Sequence, residues 1–416
     1  MPDSHLQARA TREAEDTPIA ALDVSRVDRF QANTHWPCFT RLRREEPVHF
    51  CPESVHGAYW SVTRLDDILA VETNHRQFSS ERNVIIGDVP ATFDATRAFA
   101  TADPPEHTRE RKAVTPAMSP QRVAILEART RANIGAVLDG LPLDETFDWV
   151  ERVSVELTTQ MVAMLFDFPW EERRLLPYWS EVLVTTPQVG AITTTAVERD
   201  AIVNEYRSRI LEMWRARAGE SPGDDIISAL AHNPDTAGMI EDPSHLIGTV
   251  SLVAGANEAS RGALSGSIVA FNQFPGEWER LRADPSLASN AAAEIVRWQT
   301  PISHMRRTAV EDVEFRGRLI RRGDRVVMWY CSGNRDEAYF EDGDALRIAR
   351  PNARRHVAFG GGIHRCLGSH VAEMQLRVLL EEILKRFTLV ELAAEPRRKA
   401  SNFSAGFDQV LVRIPS

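Results

Sequence analysis

Apolar residues recur along most of this chain at the three- and four-residue spacing of amphipathic helices, most continuously from about residue 104 to residue 275. The pattern predicts helices at residues 65–72, 106–115, 120–138, 150–166, 196–217, 287–298 and 366–386. Shorter runs predict strands at residues 47–50, 58–63, 302–307, 313–315 and 325–331, with two or three more within 387–414. Helices therefore dominate, and short strands are expected toward both ends of the chain.

The longest predicted helix covers residues 242–274. Asp242-Pro243-Ser244 provides good helix-starting residues, and Pro275 follows the end of the segment. A helix of about 30 residues is about 45 Å long at a rise of about 1.5 Å per residue. Its middle, residues 252–260, has small or apolar residues on both sides of Glu258. Such residues either let a large flat molecule lie against the helix or serve a close helix crossing.

Two long irregular stretches interrupt the predicted elements, at residues 79–102 and 334–357. Loops of this length are uncommon inside compact domains unless they serve a function. The first stretch contains Gly87, Pro90 and several apolar residues. We interpret it as a candidate substrate lid.

Composition excludes some classes of function. The net charge of −10 argues against a nucleic-acid binder, because phosphate recognition needs a basic surface. No apolar run reaches about 18 residues, and the first 20 residues are polar and charged, unlike a signal peptide. We expect a cytoplasmic protein without a membrane anchor. A disordered leader at residues 1–20 is expected, followed by a single domain over residues 21–416.

The four cysteines, Cys38, Cys51, Cys331 and Cys366, form no CxxC pair, which argues against structural zinc sites and a disulfide framework. The first three are interpreted as small buried apolar residues. Cys366 differs, because glycines at positions 360, 361, 362 and 368 surround it. This setting suits a loop that offers one thiolate to a metal.

A single thiolate with no second ligand nearby suits a metal that another chelate already holds, and haem iron is the obvious case. Glycines around the thiolate would let the backbone approach the porphyrin. Candidate cations for the haem propionates are His364, Arg307, and the pair His107 and Arg111, which share a helix face. Each of these cations has the alternative interpretation of an ordinary surface charge.

Several ordered motifs together resemble the cytochrome P450 superfamily over nearly the full chain. Residues 359–368 match its haem-ligand loop, and Glu294 with Arg297 matches its ExxR helix, for which the resemblance implies Arg350 as the third partner. Residues 103–111 match the propionate-binding helix, and residues 254–260 match the oxygen-binding groove. The resemblance implies a mostly α-helical α+β fold, the cytochrome P450 fold, with a small β-rich region. The haem-binding residues that motif and resemblance indicate are His107, Arg111, Arg307, Phe359, His364, Cys366 and Gly368, with Cys366 as the iron ligand.

Within this superfamily the chain looks most similar to bacterial medium-chain alkane terminal hydroxylases, at residues 139–154, 156–161, 165–169, 294–301, 305–309, 326–330 and 332–337. The resemblance implies haem b (heme b, iron protoporphyrin IX), molecular oxygen, and electrons from ferredoxin and ferredoxin reductase. It implies a monooxygenase that inserts one oxygen atom into a C–H bond of a hydrophobic aliphatic substrate, typically at a chain end. The implied substrate pocket comprises Val84, Ile85, Ile86, Leu252, Ala256, Ile302 and Phe407, each of which could equally be a core residue.

Two positions depart from the family pattern. The usual acid–threonine pair that transfers protons is here Glu258-Ala259, and Ala256 stands where glycine is common. Ser260 lies about 100° further round an ideal helix and could replace the threonine only through a water or a distortion. With Glu258, Ala259 and Ser260 as the catalytic positions, we expect more reducing equivalents to be lost to peroxide.

Two alternatives stay open beside the ferredoxin-dependent monooxygenase, and the missing threonine allows the first of them. One is a peroxide-driven haem–thiolate peroxygenase, and the other is a non-catalytic haem-binding sensor or electron carrier. For the monooxygenase, Lys112, Arg354, Arg355 and Arg365 are candidates for binding an acidic electron donor.

Overall fold

The structure of the protein is a computed structural model, and it describes residues 4–81, 83–87, 98–184, 192–242, 245–246, 248–250 and 257–416. The chain divides into two compact units. The first unit comprises Met1–Asp88, Ile134–Ser154 and Glu258–Ser416, and the second comprises Val89–Asn133 and Val155–Asn257. A single domain over residues 21–416 stays a prediction.

Helices make up most of the described chain, as the apolar spacing predicts. In chain order they are α1 (Ser4–Asp16), α2 (Val27–Gln31), α3 (Trp36–Glu45), α4 (Leu65–Thr73), α5 (Glu106–Val114), α6 (Pro120–Asp139), α7 (Glu156–Phe166), α8 (Leu175–Val184), α9 (Ala196–Ala218), α10 (Ile226–His232), α11 (Asn257–Gln273), α12 (Pro275–Ala283), α13 (Ala288–Gln299), α14 (Tyr330–Gly333) and α15 (Ser369–Arg386). None of these described helices is long and apolar enough to cross a membrane.

The strands are short and belong to the first unit. They are β1 (Val48–Cys51), β2 (Tyr59–Val62), β3 (Phe78–Ser79), β4 (Thr146–Asp148), β5 (Met305–Ala309), β6 (Val313–Phe315), β7 (Arg318–Ile320), β8 (Arg325–Met328), β9 (Glu391–Leu392), β10 (Arg397–Arg398), β11 (Phe407–Gln409) and β12 (Leu411–Arg413). The largest sheet has the order β1-β2-β8-β5-β3, in which only the β2–β8 pair is parallel. Smaller sheets pair β4-β12-β9, β6-β7 and β10-β11.

The five-stranded sheet is covered by apolar residues on both faces. Successive side chains of β8 point to opposite faces, so Val326 and Met328 join one core cluster while Val327 joins another. The first cluster includes α4 residues such as Ile68, and the second includes Phe39 of α3. Burial on both faces explains why this strand reads as a continuous apolar run.

Helix ends in the second unit follow ordinary capping chemistry. The Thr195 hydroxyl accepts a hydrogen bond from the Glu198 backbone N–H (3.1 Å) at the start of α9, and the Glu198 carboxylate accepts one from the Thr194 N–H (2.8 Å). Asp225 caps α10 in the same way through the Ser228 N–H (3.0 Å). These polar residues define where each helix begins.

The expected disordered leader differs from the structure. Residues 4–16 form α1, Ala14 is buried, and the Arg41 guanidinium donates hydrogen bonds to the carbonyl oxygens of Ala14 and Thr17 (both 2.5 Å). An isolated helix of this length is marginal in water. Contacts with α3 stabilise it, and such long-range contacts are invisible in the local composition.

Several predicted boundaries also shift. The described part of the predicted 242–274 helix consists of helical residues at 245–246 and 248–250 and of α11; residues 251–256 lie outside the described residues. Residues 150–155 form a π-helical turn before α7, whereas the apolar spacing predicts one continuous α-helix. The helix after the cysteine begins at Ser369, because residues 359–368 form the loop that presents Cys366.

Candidate active site around Cys366

The loop at residues 359–368 is held in a tight conformation that positions Cys366. The Cys366 backbone N–H donates a hydrogen bond to the Phe359 carbonyl oxygen (2.7 Å). Gly360 and Gly362 have φ angles of +66° and +58°, a region that favours glycine. A Cβ atom at Gly362 would also collide with the Glu72 carbonyl oxygen of α4. Glycine is therefore required where the loop packs on α4.

Cys366 is the exposed cysteine of this chain, whereas Cys38, Cys51 and Cys331 are buried. Burial raises the pKa of the Cys51 thiol to about 11 and that of Cys331 to about 12, and it raises the pKa of Cys38 as well. A metal ligand must be a thiolate, and buried thiols with raised pKa values resist deprotonation. Cys366 alone has the exposure that an axial ligand needs.

The surroundings of Cys366 fit a metal carried by another chelate. Across the described ranges, no group of three or more His, Cys, Asp or Glu side chains could hold a metal ion. A Cβ atom added at Gly368, two residues after the thiol, would meet no atom within 4 Å, so open space lies there. One exposed thiol beside open space is the donor set that haem iron requires.

Three buried charged residues support the region before the cysteine loop. Arg297 binds the Glu294 carboxylate through Nε and Nη2 (both 2.8 Å), and Arg350 Nε binds the same carboxylate (3.0 Å). Arg297 Nη1 also donates to the carbonyl oxygens of Asn334 and Gly343 (both 2.7 Å). Glu294 and Arg297 are fully buried. The network fastens α13 to the irregular chain at residues 334–350.

Arg307, predicted to contact a haem propionate, is bound to a protein carboxylate. Its Nη2 lies 2.7 Å from Glu72 Oε2, its Nη1 donates to the Arg306 carbonyl oxygen (2.8 Å), and the Tyr330 hydroxyl binds Glu72 Oε1. Burial raises the pKa of the Glu72 carboxyl, while Arg307 opposes that shift. Burial also raises the pKa of the Tyr330 phenol well above its usual range; the Glu72 and Cys366 charges add to this shift. The propionate role of Arg307 stays a prediction.

The acid of the predicted catalytic segment binds cations. Lys399 Nζ lies 2.8 Å from Glu258 Oε1, Arg261 of the same helix binds Glu258 Oε2, and the Ser404 hydroxyl donates to Oε1 (3.4 Å). Ala259 and Ser260 follow, both half-buried. About a quarter of the surface of the Glu258 side chain is exposed.

Comparison with known proteins identifies the family. The sequence profile described as Cytochrome P450 matches residues 281–412. Linalool 8-monooxygenase from Pseudomonas putida is 36% identical over 408 residues, covering 94% of this chain and 99% of that protein. This chain belongs to the cytochrome P450 family.

Solved structures agree with that assignment. Cytochrome P450-153 from Novosphingobium aromaticivorans has a TM-score of 0.87 and 38% identity, covering 95% of this chain and 99% of that chain. CYP153D17 from Sphingomonas sp. PAMC 26605 has a TM-score of 0.86 and 39% identity, covering 96% and 100%. The predicted fold class, superfamily and similarity to this group of bacterial P450s are confirmed.

Family membership also establishes the enzyme class and the cofactor. The chain is a haem-dependent monooxygenase, an oxidoreductase whose haem takes a cysteine thiolate as axial ligand. When bound, the haem would supply the oxidising chemistry, and a cysteine thiolate would hold its iron and donate electron density to it. Among the described cysteines, Cys366 fits this ligand by its motif and exposure.

The remaining predicted haem contacts are divided between the two units. Phe359 and His364 flank Cys366 in the loop of the first unit, and both are half-buried. His107 is buried in α5 of the second unit, and Arg111 lies four residues later on the same helix. The roles of His107, Arg111 and His364 toward the haem propionates stay predictions, as does the contact of Phe359 with the haem.

The predicted substrate-pocket residues of this P450 occupy different environments. Ile302 is half-buried and pairs with Ser404 through an isolated β-bridge. Val84 accepts a hydrogen bond from the Arg306 N–H (2.8 Å) through its carbonyl, and Ile85 beside it is half-buried. The buried residues Ile86 and Phe407 are considered next, and Leu252 and Ala256 lie outside the described residues.

Ile86 and Phe407 are core residues by their contacts. Ile86 packs in the apolar cluster that contains Phe39 and Trp329, and its N–H donates to His304 Nε2 (3.2 Å). Phe407 is 2% exposed, and the Arg398 guanidinium lies 5.0 Å from the centre of its ring. A place for these two side chains in a substrate pocket stays a prediction.

Sequence reasoning missed the partners of Glu258. Arg261 lies three residues after Glu258, and that helical spacing was a usable signal. Lys399 and Ser404 are far away in sequence, and no local pattern links them to α11. The tail reaches this helix because its backbone pairs with the segment after α13: the Ala405 N–H donates to the Pro301 carbonyl oxygen (2.9 Å).

Proposed function

We propose that this P450 uses molecular oxygen to hydroxylate the chain end of a medium-chain alkane or a similar hydrophobic aliphatic molecule, with electrons from ferredoxin and ferredoxin reductase. The observation that carries the proposal is the similarity, over at least 95% of the chain, to the two group-153 cytochromes P450. Stretches such as residues 139–154 resemble the alkane terminal hydroxylases in particular. The P. putida relative, named for linalool, also acts on a hydrophobic molecule.

In this proposal Glu258 carries protons toward the reaction site. Its side chain is about a quarter exposed and its carboxylate is held by Lys399 and Arg261, so in this proposal it exchanges protons with water while keeping its position. Ala259 has no hydroxyl to receive such a proton, and Ser260 lies further round the helix. Proton transfer would then pass through water, which accounts for an expected loss of reducing equivalents to peroxide.

An exposed group of arginines suits the proposed electron donor. Arg354, Arg355 and Arg365 lie on the surface of the first unit close in sequence to Cys366. Arg354 pairs with Glu373, while the Arg355 guanidinium lies 5.5 Å from the centre of the Tyr339 ring. A small acidic ferredoxin would be attracted to this surface, and the proposal includes a cytoplasmic location where such a donor is available.

Titration and product analysis test the substrate class. Linear alkanes of increasing length are added to the haem-loaded enzyme while the spin-state change of the Soret band is recorded. The best-binding alkane is then incubated with ferredoxin, reductase and NADH, and the products are separated. We expect a primary alcohol. Turnover of linalool without turnover of any alkane would contradict the proposed substrate class.

Ala259 favours one second candidate, a peroxide-driven peroxygenase. Hydrogen peroxide already carries the electrons and protons that a monooxygenase must add to molecular oxygen, so that reaction depends less on a threonine hydroxyl. Product formation is compared with hydrogen peroxide alone and with ferredoxin, reductase and NADH. Faster turnover by the complete electron-transfer system supports the monooxygenase. Faster turnover with peroxide alone would favour the peroxygenase.

A further inference from the structure

The first unit contains a cavity of about 460 Å³, and none of the cysteine-loop residues lines it. We call it the tail cavity, because residues 398–406 of the chain tail form part of its wall together with α1, α3 and the end of α13. Its charged and polar lining includes Ser303, Arg335, Arg398 and Lys399. Its volume is in the range of small-molecule sites.

Two buried polar groups in this lining have no protein partner among the described residues. Ser303 is 1% exposed and its Oγ makes no hydrogen bond; Arg335 is 6% exposed and its Nη1 makes none. Buried polar atoms are nearly always hydrogen-bonded, so two unsatisfied groups in one cavity require an explanation. Both can donate a hydrogen bond, so a partner for either atom would be an acceptor.

Positive charge converges on the same cavity. Arg335 and Arg398 remain protonated at neutral pH even though burial lowers the pKa of each to about 10. His35, which also lines the cavity, lies near both, because burial first and then these two guanidinium groups hold its pKa well below the usual range. His35 is therefore neutral, and the cations of the lining are Arg335, Arg398 and Lys399.

The acids of the lining are already paired. Asp344 binds Arg335 Nε (2.9 Å), and Glu15 binds Arg44 outside the cavity (3.2 Å). Lys399 is matched by Glu258 (2.8 Å). Arg398 has no ion pair or hydrogen bond within the described part of the chain, although Glu395 attracts it at longer range. The lining thus has one cation without an ion pair, whose guanidinium lies over the Phe407 ring, and unused donors at Ser303 and Arg335.

Aromatic side chains complete the wall. Phe30, Phe274 and Trp298 line the cavity, and the rings of the last two pack edge to face with centroids 5.8 Å apart. An inorganic oxyanion would leave these apolar surfaces without contact. A compact organic molecule with one anionic group would cover them and bring an acceptor to the cations.

We propose that the tail cavity is a binding site for a small organic carboxylate, whose carboxylate group binds Arg335 Nη1, Arg398 and Ser303 and whose apolar body packs on Phe30, Phe274 and Trp298. The site is separate from the cysteine loop and does not depend on the proposed alkane hydroxylation. Lys399 borders the cavity and also binds Glu258, so an occupant of the cavity and Glu258 share one cation.

Calorimetric titration of the haem-loaded full chain with benzoate tests the proposal, with the Soret spectrum recorded in parallel. We expect saturable binding without a Soret change, no binding of the neutral analogue benzyl alcohol, and weaker binding of inorganic phosphate. Arg398→Gln should weaken benzoate binding about tenfold or more, because a hydrogen bond to a charged group is lost. Ser303→Ala should weaken it about two- to fivefold.

The matched control is Arg397→Gln, which removes the same charge from the adjacent, exposed position outside the cavity and should leave benzoate binding unchanged. Thermal unfolding of each variant checks that the fold is intact. Absence of saturable binding would overturn the proposal, as would equal weakening by Arg397→Gln and Arg398→Gln. Phosphate binding as tight as benzoate binding would overturn the organic carboxylate, and a Soret change that follows occupancy would place the ligand at the haem instead.

Discussion

Glu294 and Glu258 are each bound by two cationic side chains within the first unit, but in different surroundings. Around Glu294, both arginines are buried and their remaining N–H groups are satisfied mainly by backbone carbonyls. Around Glu258, the cations Lys399 and Arg261 are about a quarter exposed, as is the acid itself. The first cluster holds the chain in one arrangement, whereas the second has the partial exposure that the proposed proton exchange needs. Burial and the choice of partner, rather than the presence of an ion pair, distinguish a structural cluster from one proposed to take part in catalysis.

The largest expected effect comes from Cys366→Ser, at a site that belongs to neither cluster. A hydroxyl is a poor substitute for a thiolate, so the reduced carbonyl complex should lose its characteristic P450 absorption band, and monooxygenase activity should disappear. Absorption spectra of the reduced protein under carbon monoxide measure this. Cys51→Ala, at a buried cysteine, should keep the band; its loss there would show that the band reports on folding instead.

Arg297→Lys should disrupt the buried cluster around Glu294. Lysine cannot reproduce the hydrogen bonds to Glu294, Asn334 and Gly343, so two buried carbonyl oxygens would lose a donor and the fully buried carboxylate would keep Arg350 as its remaining arginine partner. We expect a loss of about 3–5 kcal/mol in the free energy of unfolding, measured with urea, and a reduced yield of haem-loaded protein. Arg347→Lys, at an exposed arginine next to Asp342, should cost less than about 0.5 kcal/mol. Equal losses of unfolding free energy in both variants would show that burial does not set the strength of the Glu294 cluster.

Glu258→Gln should change stability little and activity strongly. Its ion pairs are partly exposed, so the free energy of unfolding should change by less than about 1 kcal/mol. Product formation should fall about tenfold or more, because the carboxylate that exchanges protons is lost. Glu391→Gln, at an exposed glutamate of β9, should change neither quantity. A large loss of stability with unchanged turnover would show that the role of Glu258 is structural.

The second unit contains an ion pair whose strength depends on pH, that of His245 with Glu110. His245 Nε2 lies 2.6 Å from Glu110 Oε1, and this hydrogen bond raises the pKa of His245 above its usual 6.5. Because the folded-state pKa is the higher one, the protonated pair contributes its full stability below about pH 6.5 and loses it as the pH rises through the folded-state pKa. Urea unfolding against pH should show this loss, of less than about 1 kcal/mol, and His245→Gln should remove the pH dependence. An unchanged profile in the variant would exclude the pair as its source.

The smallest expected effect concerns Ala259→Thr. A threonine hydroxyl next to Glu258 should increase the ratio of product formed to NADH consumed, with little change in stability at this half-buried position. The ratio and the peroxide released are measured together in the same reaction. Ala259→Val adds similar bulk without a hydroxyl and should not improve the ratio. No difference between threonine and valine would show that the missing hydroxyl does not limit coupling.

The sequence predicts the elements better than the contacts between them. The spacing of apolar residues predicts α9 and α13 to within one or two residues of their ends, because amphipathic periodicity is a local property. The helix α1 is missed, since contacts with α3 stabilise it and its own composition does not. The pairing of Arg307 with Glu72 is missed too, since it joins a strand to a helix far away in sequence.

The sequence by itself determined the family and the departure at Ala259 and predicted Cys366 as the haem ligand, because glycine spacing, the ExxR pattern and residue identity are all local. Only the tertiary structure decided which cation each acid binds, which cysteines are buried, and that two arginines and a serine converge on the tail cavity. The physical reason is that ion pairing and burial depend on distances between segments. In this P450 those distances follow from the packing of the tail and of α1, and no pattern within either segment encodes them.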